Sequence, residues 1–214
     1  MNNKKTVLTV NNVTFSYDDK VVLKDFSLNI DTGSFVCLTG ESGCGKSTLL
    51  RLMNGLLIPQ QGDININGEQ LTLANAIDKR RSIGYILQEG ALFPHLTVYQ
   101  NMIYCLTLLN MSPQACQQRI DELLPLVNLS HDLLQQFPDQ LSGGQRQRVG
   151  IIRGIAHHPA IVLMDEPFSA LDPETRESLQ DLVKSIHQQT DTTFVMVTHS
   201  LSEAEKLGTA IVNM

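Results

Sequence analysis

In the first third of the chain, apolar positions alternate with polar ones, the period of a half-buried strand. Phe26, Leu28 and Ile30 keep this alternation, as do Ile64 and Ile66, which run into the turn pair Asn67-Gly68. Antiparallel sheet is predicted here. Val36 and Leu38 predict another strand, ending in a glycine-rich loop, and a helix follows from about Ser47 through Leu49, Leu50 and Met53, with Gly55 placed to stop it. From Glu89 to Gly154 the chain reads as mainly helical. Ile120, Leu123, Leu124 and Val127 fall at helical spacing, and Pro113, Pro125 and Pro138 break the pattern. Two short continuous apolar runs, Ile161 to Met164 and Phe194 to Val197, have the character of parallel strands buried on both faces. Between them Leu179, Leu182, Val183 and Ile186 make an amphipathic helix, so the segment is a βαβ unit. The sequence has no internal repeat and no low-complexity segment.

The 214 residues leave room for one domain with a sizeable core and a small attached subdomain. Net charge is −6, and the longest basic cluster is Lys79-Arg80-Arg81. Nucleic-acid binding needs a basic stripe to neutralise phosphates, so no nucleic-acid partner is expected. The four cysteines, Cys37, Cys44, Cys105 and Cys116, lack CxxC spacing and suit a reducing compartment. Met1 to Val13 carries two lysines but only the short apolar run Val7-Leu8, which does not make a signal peptide. No apolar stretch approaches the roughly 20 residues that span a bilayer. A role at a membrane would therefore come through a partner.

The strongest chemical signal is Gly40-Glu41-Ser42-Gly43-Cys44-Gly45-Lys46-Ser47, which fits G-x-x-x-x-G-K-[ST]. Glycines let backbone N–H groups curl around phosphate oxygens, and the helix opening near Lys46 points its positive end at the same anion. Lys46 would meet the β and γ phosphates, and the Ser47 hydroxyl would ligate Mg²⁺. The pattern arises by chance in on the order of 1 in 100 chains this long, and here it lies between a predicted strand and a predicted helix. A second site is the apolar strand that delivers Asp165 and Glu166 at its carboxyl end, where ligands bind in open α/β sheets. Asp165 would hold Mg²⁺ and Glu166 would polarise an attacking water.

Up to this point a small-molecule kinase or a motor ATPase would serve equally well. Leu141-Ser142-Gly143-Gly144-Gln145, with Ser142 as the N-cap of a following helix, narrows the choice. It resembles the signature motif of the ABC ATPases. The other elements of that family follow in order across essentially the whole chain. Tyr17 resembles the aromatic residue that stacks on adenine, and Gln88 the glutamine that links two lobes, reaches the metal and takes part in catalysis. Ser169-Ala170-Leu171-Asp172 resembles the D-loop, and His199 the switch histidine. His95, His131, His157, His158 and His187 read instead as surface or satisfied core groups, and Cys44 as a small residue filling a loop position. Where the family usually shows Ala-Asp-Arg after the histidine, this chain has Leu207-Gly208-Thr209.

The resemblance implies an α/β fold: a P-loop NTPase core with a parallel sheet, an N-terminal antiparallel β subdomain and an inserted helical subdomain. Residues 1–88 and 155–214 would form the catalytic core of a single domain, and 89–154 the helical part. It implies ATP and Mg²⁺ as ligands and ATP hydrolysis coupled to transport. It also implies a head-to-tail homodimer, or a pair with another ABC subunit. In that pair ATP on Gly40 to Thr48 of one copy, Thr48 included, is capped by Ser142, Gly143, Gly144 and Gln145 of the other, and Asp172 of the D-loop is a further nucleotide-binding residue. Integral membrane permease subunits would be the partners, with a solute-binding protein involved indirectly. The location would be peripheral, on the cytoplasmic face of the inner (plasma) membrane. The family receives a permease helix beside the lobe-linking glutamine, where Leu92, Phe93 and Leu96 form a short apolar turn. Ala91 to Val98 and Asp172 to Arg176 look like importers of osmolytes, amino acids or polyamines. An exporter ATPase, a soluble ABC ATPase of repair or translation, and a subunit that no longer hydrolyses ATP are the alternatives. The chain ends soon after His199, so no C-terminal regulatory domain is expected.

Overall fold

A computed structural model describes residues 5–214, apart from the side chain of Glu89. The part of the Met1 to Val13 reading that precedes Lys5 lies outside the described residues. Two sheets organise the molecule. The first is antiparallel, in the order β2-β1-β4-β5, built from β1 (Thr6–Tyr17), β2 (Lys20–Asp31), β4 (Gln61–Ile66) and β5 (Glu69–Gln70). Its hairpin β4–β5 turns through Asn67 and Gly68, both at positive φ, as a two-residue turn of this type requires. The second sheet is parallel, in the order β6-β7-β8-β3-β9. Its strands are β3 (Phe35–Thr39), β6 (Ile83–Ile86), β7 (Ile161–Asp165), β8 (Thr193–Val197) and β9 (Ala210–Asn213).

The continuous apolar runs of the parallel strands are explained by two cores, one on each face. Val36, Leu38, Ile161, Leu163, Val195 and Val197 face the antiparallel sheet and helix α1 (Lys46–Met53). Phe35, Cys37, Val162, Met164, Phe194 and Met196 face the opposite core. There they meet α6 (Gly143–Ile155), α7 (Pro173–Gln189) and α8 (Leu201–Leu207). The short helix α2 (Ala76–Arg81) leads into β6. The βαβ unit is present as β7–α7–β8, with β7 and β8 paired in parallel. All four cysteines are free, and burial, followed by the Glu203 carboxylate, pushes the Cys37 thiol up to about 12.

Between β6 and β7 the regular elements are helical: α3 (Val98–Met102), α4 (Tyr104–Leu108), α5 (Pro113–Leu123) and then α6. The prolines act differently from the sequence-based expectation. Pro113 opens α5 at its first turn behind the Ser112 cap, where its missing N–H costs nothing, and Pro138 opens a single 3₁₀ turn. Only Pro125 follows a helix end. Tyr17 is the last residue of β1, a strand that was not foreseen. His157 was expected to be exposed or satisfied. Both its ring nitrogens are instead buried without a hydrogen-bond partner, and burial, then His158, pushes its pKa down to about 4. The segment Leu207-Gly208-Thr209 docks on β3: Thr209 N–H donates to Phe35 O at 2.8 Å, and its hydroxyl accepts from Phe35 N–H at 2.9 Å.

Candidate active site

The carboxyl ends of β3, β7 and β8 converge on one cleft. β3 ends at Thr39, α1 begins at Lys46, and the connecting loop turns at Gly40, Gly43 and Gly45, all at positive φ. At Gly45 any larger residue would be strained and crowded, because a Cβ would lie 2.9 Å from Val22 Cγ1. Gly45 caps α1 without a side-chain bond, and the first helical turn has no acidic residue. The N–H groups at this helix start are therefore left for an anion. Lys46, only 4% exposed, donates from Nζ to Gly40 O at 2.9 Å and Glu41 O at 2.7 Å, which fixes its ammonium across the loop.

Ser47 Oγ donates to Asp165 Oδ1 at 2.9 Å, joining the start of α1 to the end of β7. Burial raises the Asp165 pKa, and the Ser47 bond opposes that shift. A carboxylate beside a hydroxyl offers oxygens to a hard divalent cation. Among the described residues no group of three or more His, Cys, Asp and Glu could hold a metal alone. That donor set fits Mg²⁺, which is usually held by one or two protein oxygens, phosphates and waters. Glu166 follows in the left-handed region at φ 46, an uncommon place for a residue with a side chain. Its N–H donates to Val197 O at 3.1 Å and its carbonyl accepts from Ser169 Oγ at 3.0 Å, so both ends of the residue are pinned. The carboxylate then meets His199 Nε2 at 2.5 Å, just beyond β8.

Tyr17, Ser42, Gly43, Gly45, Lys46, Ser47, Thr48, Glu166 and His199 line this cleft of about 290 Å³. Lys20 and Val22 complete it and were not anticipated. Their signal lay in hairpin register, because Lys20 pairs with Tyr17 across the β1–β2 turn. Tyr17 stands at the rim, partly exposed, with its ring edge-on to Phe15 at 5.0 Å.

Gly40, Glu41 and Cys44 sit around the Lys46 ammonium in the same loop and Asp165 adjoins it through Ser47, whereas the other candidates lie elsewhere on the molecule. Gln88, itself exposed, opens a 3₁₀ turn, Gln88–Ala91, and lines a separate hollow with Ala91, Leu92, Pro138 and Arg146. Ser142 and Gln145 form a reciprocal cap on α6: Ser142 Oγ accepts from Gln145 N–H at 3.2 Å, and Gln145 Oε1 accepts from Ser142 N–H at 2.8 Å. Asp172 caps α7 by accepting from Thr175 N–H at 3.0 Å, and that bond holds its carboxyl below the usual range. The two helix starts touch, since a Cβ on Gly144 would lie 2.6 Å from Thr175 Cγ2. Gln88, Ser142 to Gln145 and Asp172 thus stay outside the lining of the Lys46 cleft.

A sequence model described as ABC transporter matches residues 23–169. The chain belongs to the ABC transporter family. It is 51% identical over 205 residues to the ergothioneine transport ATP-binding protein EgtV of Helicobacter pylori (strain G27), across 96% of this chain and 95% of that protein. It is 43% identical over 209 residues to the carnitine transport ATP-binding protein OpuCA of Listeria monocytogenes, across 97% of this chain and 53% of the relative. The chain therefore spans about half the length of that longer relative. Among solved structures it resembles a dimeric, post-hydrolysis ATP-binding cassette, MJ0796 bound to ADP and Pi. The TM-score is 0.85 at 33% identity, covering 97% of this chain and 94% of that one. ABC-family membership makes the chain an ATP-binding ATPase.

Proposed function

We propose that this ABC ATPase powers a bacterial importer of a small organic solute. One observation carries the reading: β3, β7 and β8 bring Lys46, Ser47, Asp165, Glu166 and His199 together at a single cleft, although they come from distant parts of the sequence. The import direction is supported by relatives whose names concern transport of ergothioneine, carnitine and choline, and by a glycine betaine uptake system.

In this reading the loop Gly40 to Thr48 binds the triphosphate with its N–H groups, Lys46 contributes the charge, and Tyr17 stacks on the base. Ser47 and Asp165 would hold Mg²⁺, and the lobe-linking Gln88 would be its third protein contact. Mg²⁺ would neutralise charge on the phosphates. Glu166, oriented by His199 Nε2, accepts a proton from the attacking water. Ser142 to Gln145 and Asp172 lie outside the cleft of their own chain, so they are assigned to the nucleotide of a second copy. Residues 1–88 and 155–214 act as the catalytic core, and 89–154 as the lobe that carries movement to the permease through Leu92, Phe93 and Leu96. Among the described residues no helix is long and apolar enough to cross a membrane. The relatives named as transport ATP-binding proteins support a peripheral subunit, which this reading places at the cytoplasmic face, held by permease subunits, with a solute-binding protein as an indirect partner.

Lys46→Ala and Glu166→Gln separate binding from chemistry. Lys46→Ala is expected to lose productive ATP binding. Glu166→Gln is expected to bind ATP but to turn over roughly 10²–10⁴-fold more slowly, the usual value of a general base. Light scattering of Glu166→Gln with Mg-ATP should then report a dimer where the nucleotide-free protein is monomeric. A monomer that demonstrably holds ATP would overturn the two-copy assignment.

A further inference from the structure

Behind the nucleotide cleft lies a second cavity of about 330 Å³, and Glu166 and His199 line both. Its inner wall holds Thr198, Gln180 and Glu203. Ser200-Leu201-Ser202-Glu203 has the S-x-x-E spacing of a capping box, in which the glutamate returns to the N–H of its own cap residue. Ser200 does cap α8, accepting from Glu203 N–H at 3.3 Å. The Glu203 side chain, however, goes elsewhere. Its Oε2 accepts from Thr198 Oγ1 at 2.5 Å and its Oε1 from Gln180 Nε2 on α7 at 3.3 Å.

A carboxylate only accepts hydrogen bonds. The Thr198 hydroxyl must therefore point its proton at Glu203, which leaves an oxygen lone pair for Ser200 N–H at 3.0 Å. Thr198 N–H is tied in turn to Leu38 O at 3.2 Å. The residues on both sides of His199 are thus held by one buried group, while the imidazole between them projects into the cleft. Glu203 is 8% exposed and forms no ion pair among the described residues. Burying a carboxylate against neutral donors costs far more than burying an apolar side chain of similar size. Packing alone gives no reason for it here.

We propose that Glu203 is a positioning residue for His199, acting through the Thr198 hydroxyl. This rests on the assignment of His199 above, and the test keeps the two apart. Single-turnover ATP hydrolysis and ATP affinity are measured for Glu203→Ala, Thr198→Val and His199→Ala, and for Glu203→Ala combined with His199→Ala. Glu203→Ala and Thr198→Val should each slow hydrolysis about tenfold, the equivalent of one hydrogen bond, with ATP affinity unchanged. Adding Glu203→Ala to His199→Ala should slow it no further. Glu203→Gln keeps an acceptor for Thr198 and should recover the parental rate to within about threefold. Thr198→Val, nearly the same shape as the parent, serves if Glu203→Ala fails to fold. Equal slowing by Glu203→Ala with and without His199, or a change in ATP affinity, would overturn this inference alone. An unchanged rate in His199→Ala would remove His199 from the reaction and the inference with it.

Discussion

Replacing Asn101 with Ala should loosen the turn that follows Gln88, and the cost can be worked out bond by bond. Asn101 is fully buried, and its side chain closes the loop ahead of α3. Oδ1 accepts from Phe93 N–H at 2.8 Å; Nδ2 donates to Phe93 O at 3.1 Å, Leu96 O at 3.1 Å and Thr97 O at 3.0 Å. Two of these carbonyls keep another partner in the variant. Thr97 O accepts from Asn101 N–H at 2.9 Å, and Phe93 O from Leu96 N–H at 3.2 Å. Phe93 N–H and Leu96 O would be left bare. At about 1–2 kcal/mol for each partly buried orphan, the loss comes to about 2–4 kcal/mol. For a chain this long that lowers the midpoint of thermal unfolding by about 4–16 °C. Asn101→Asp should be at least as damaging, since it keeps the acceptor but turns a negative charge toward three carbonyl oxygens. Circular dichroism melts of the three proteins check the sequence of stabilities. A midpoint for Asn101→Ala within about 1 °C of the parent, or an Asp variant as stable as the parent, would refute the reasoning.

Tyr17→Ala should weaken ATP binding by about 1–3 kcal/mol with the maximal rate retained, because base stacking contributes binding shared by substrate and transition state; isothermal titration reads the affinity. His157 has its pKa lowered from 6.5 to about 4, so the unfolded chain binds the extra proton first as pH falls. The His157 contribution to stability should therefore decline as pH drops from 6.5 to about 4 and level off below, and His157→Leu should flatten that part of the profile in melts taken across the range.

Local pattern was enough for much of the site because phosphate loops and buried strands are local devices. The run Gly40 to Ser47 specifies its own turn, since glycines take up positive φ and Lys46 starts the helix that follows. The run Ile161 to Asp165 specifies a strand buried on both faces that ends in a carboxylate. Family resemblance added Tyr17, Gln88 and His199, none of which stands out by residue type. Less legible were features that depend on what lies across a strand or behind a loop. β1 was missed because its inward residues Val7 and Leu8 break simple alternation at a register shift next to Leu8. Pro113 and Pro138 were misread because a proline that opens a helix and one that breaks a helix look the same until the preceding cap is seen.

The sequence by itself determined the phosphate loop, the strand–helix–strand unit around Asp165, and the capped start of α6, because each depends on spacings of a few residues. The tertiary structure alone decided which of those pieces meet. Ser47 and Asp165, 118 positions apart, are bonded because β3 and β7 each pair with β8 in one parallel sheet, which brings their carboxyl ends to the same edge. The same folding carries Ser142 to Gln145 and Asp172 away from that edge, onto two helix starts in contact with each other. Pairing between strands far apart in sequence carries no local signature; it follows from burying two apolar faces at once, which only the complete sheet can do.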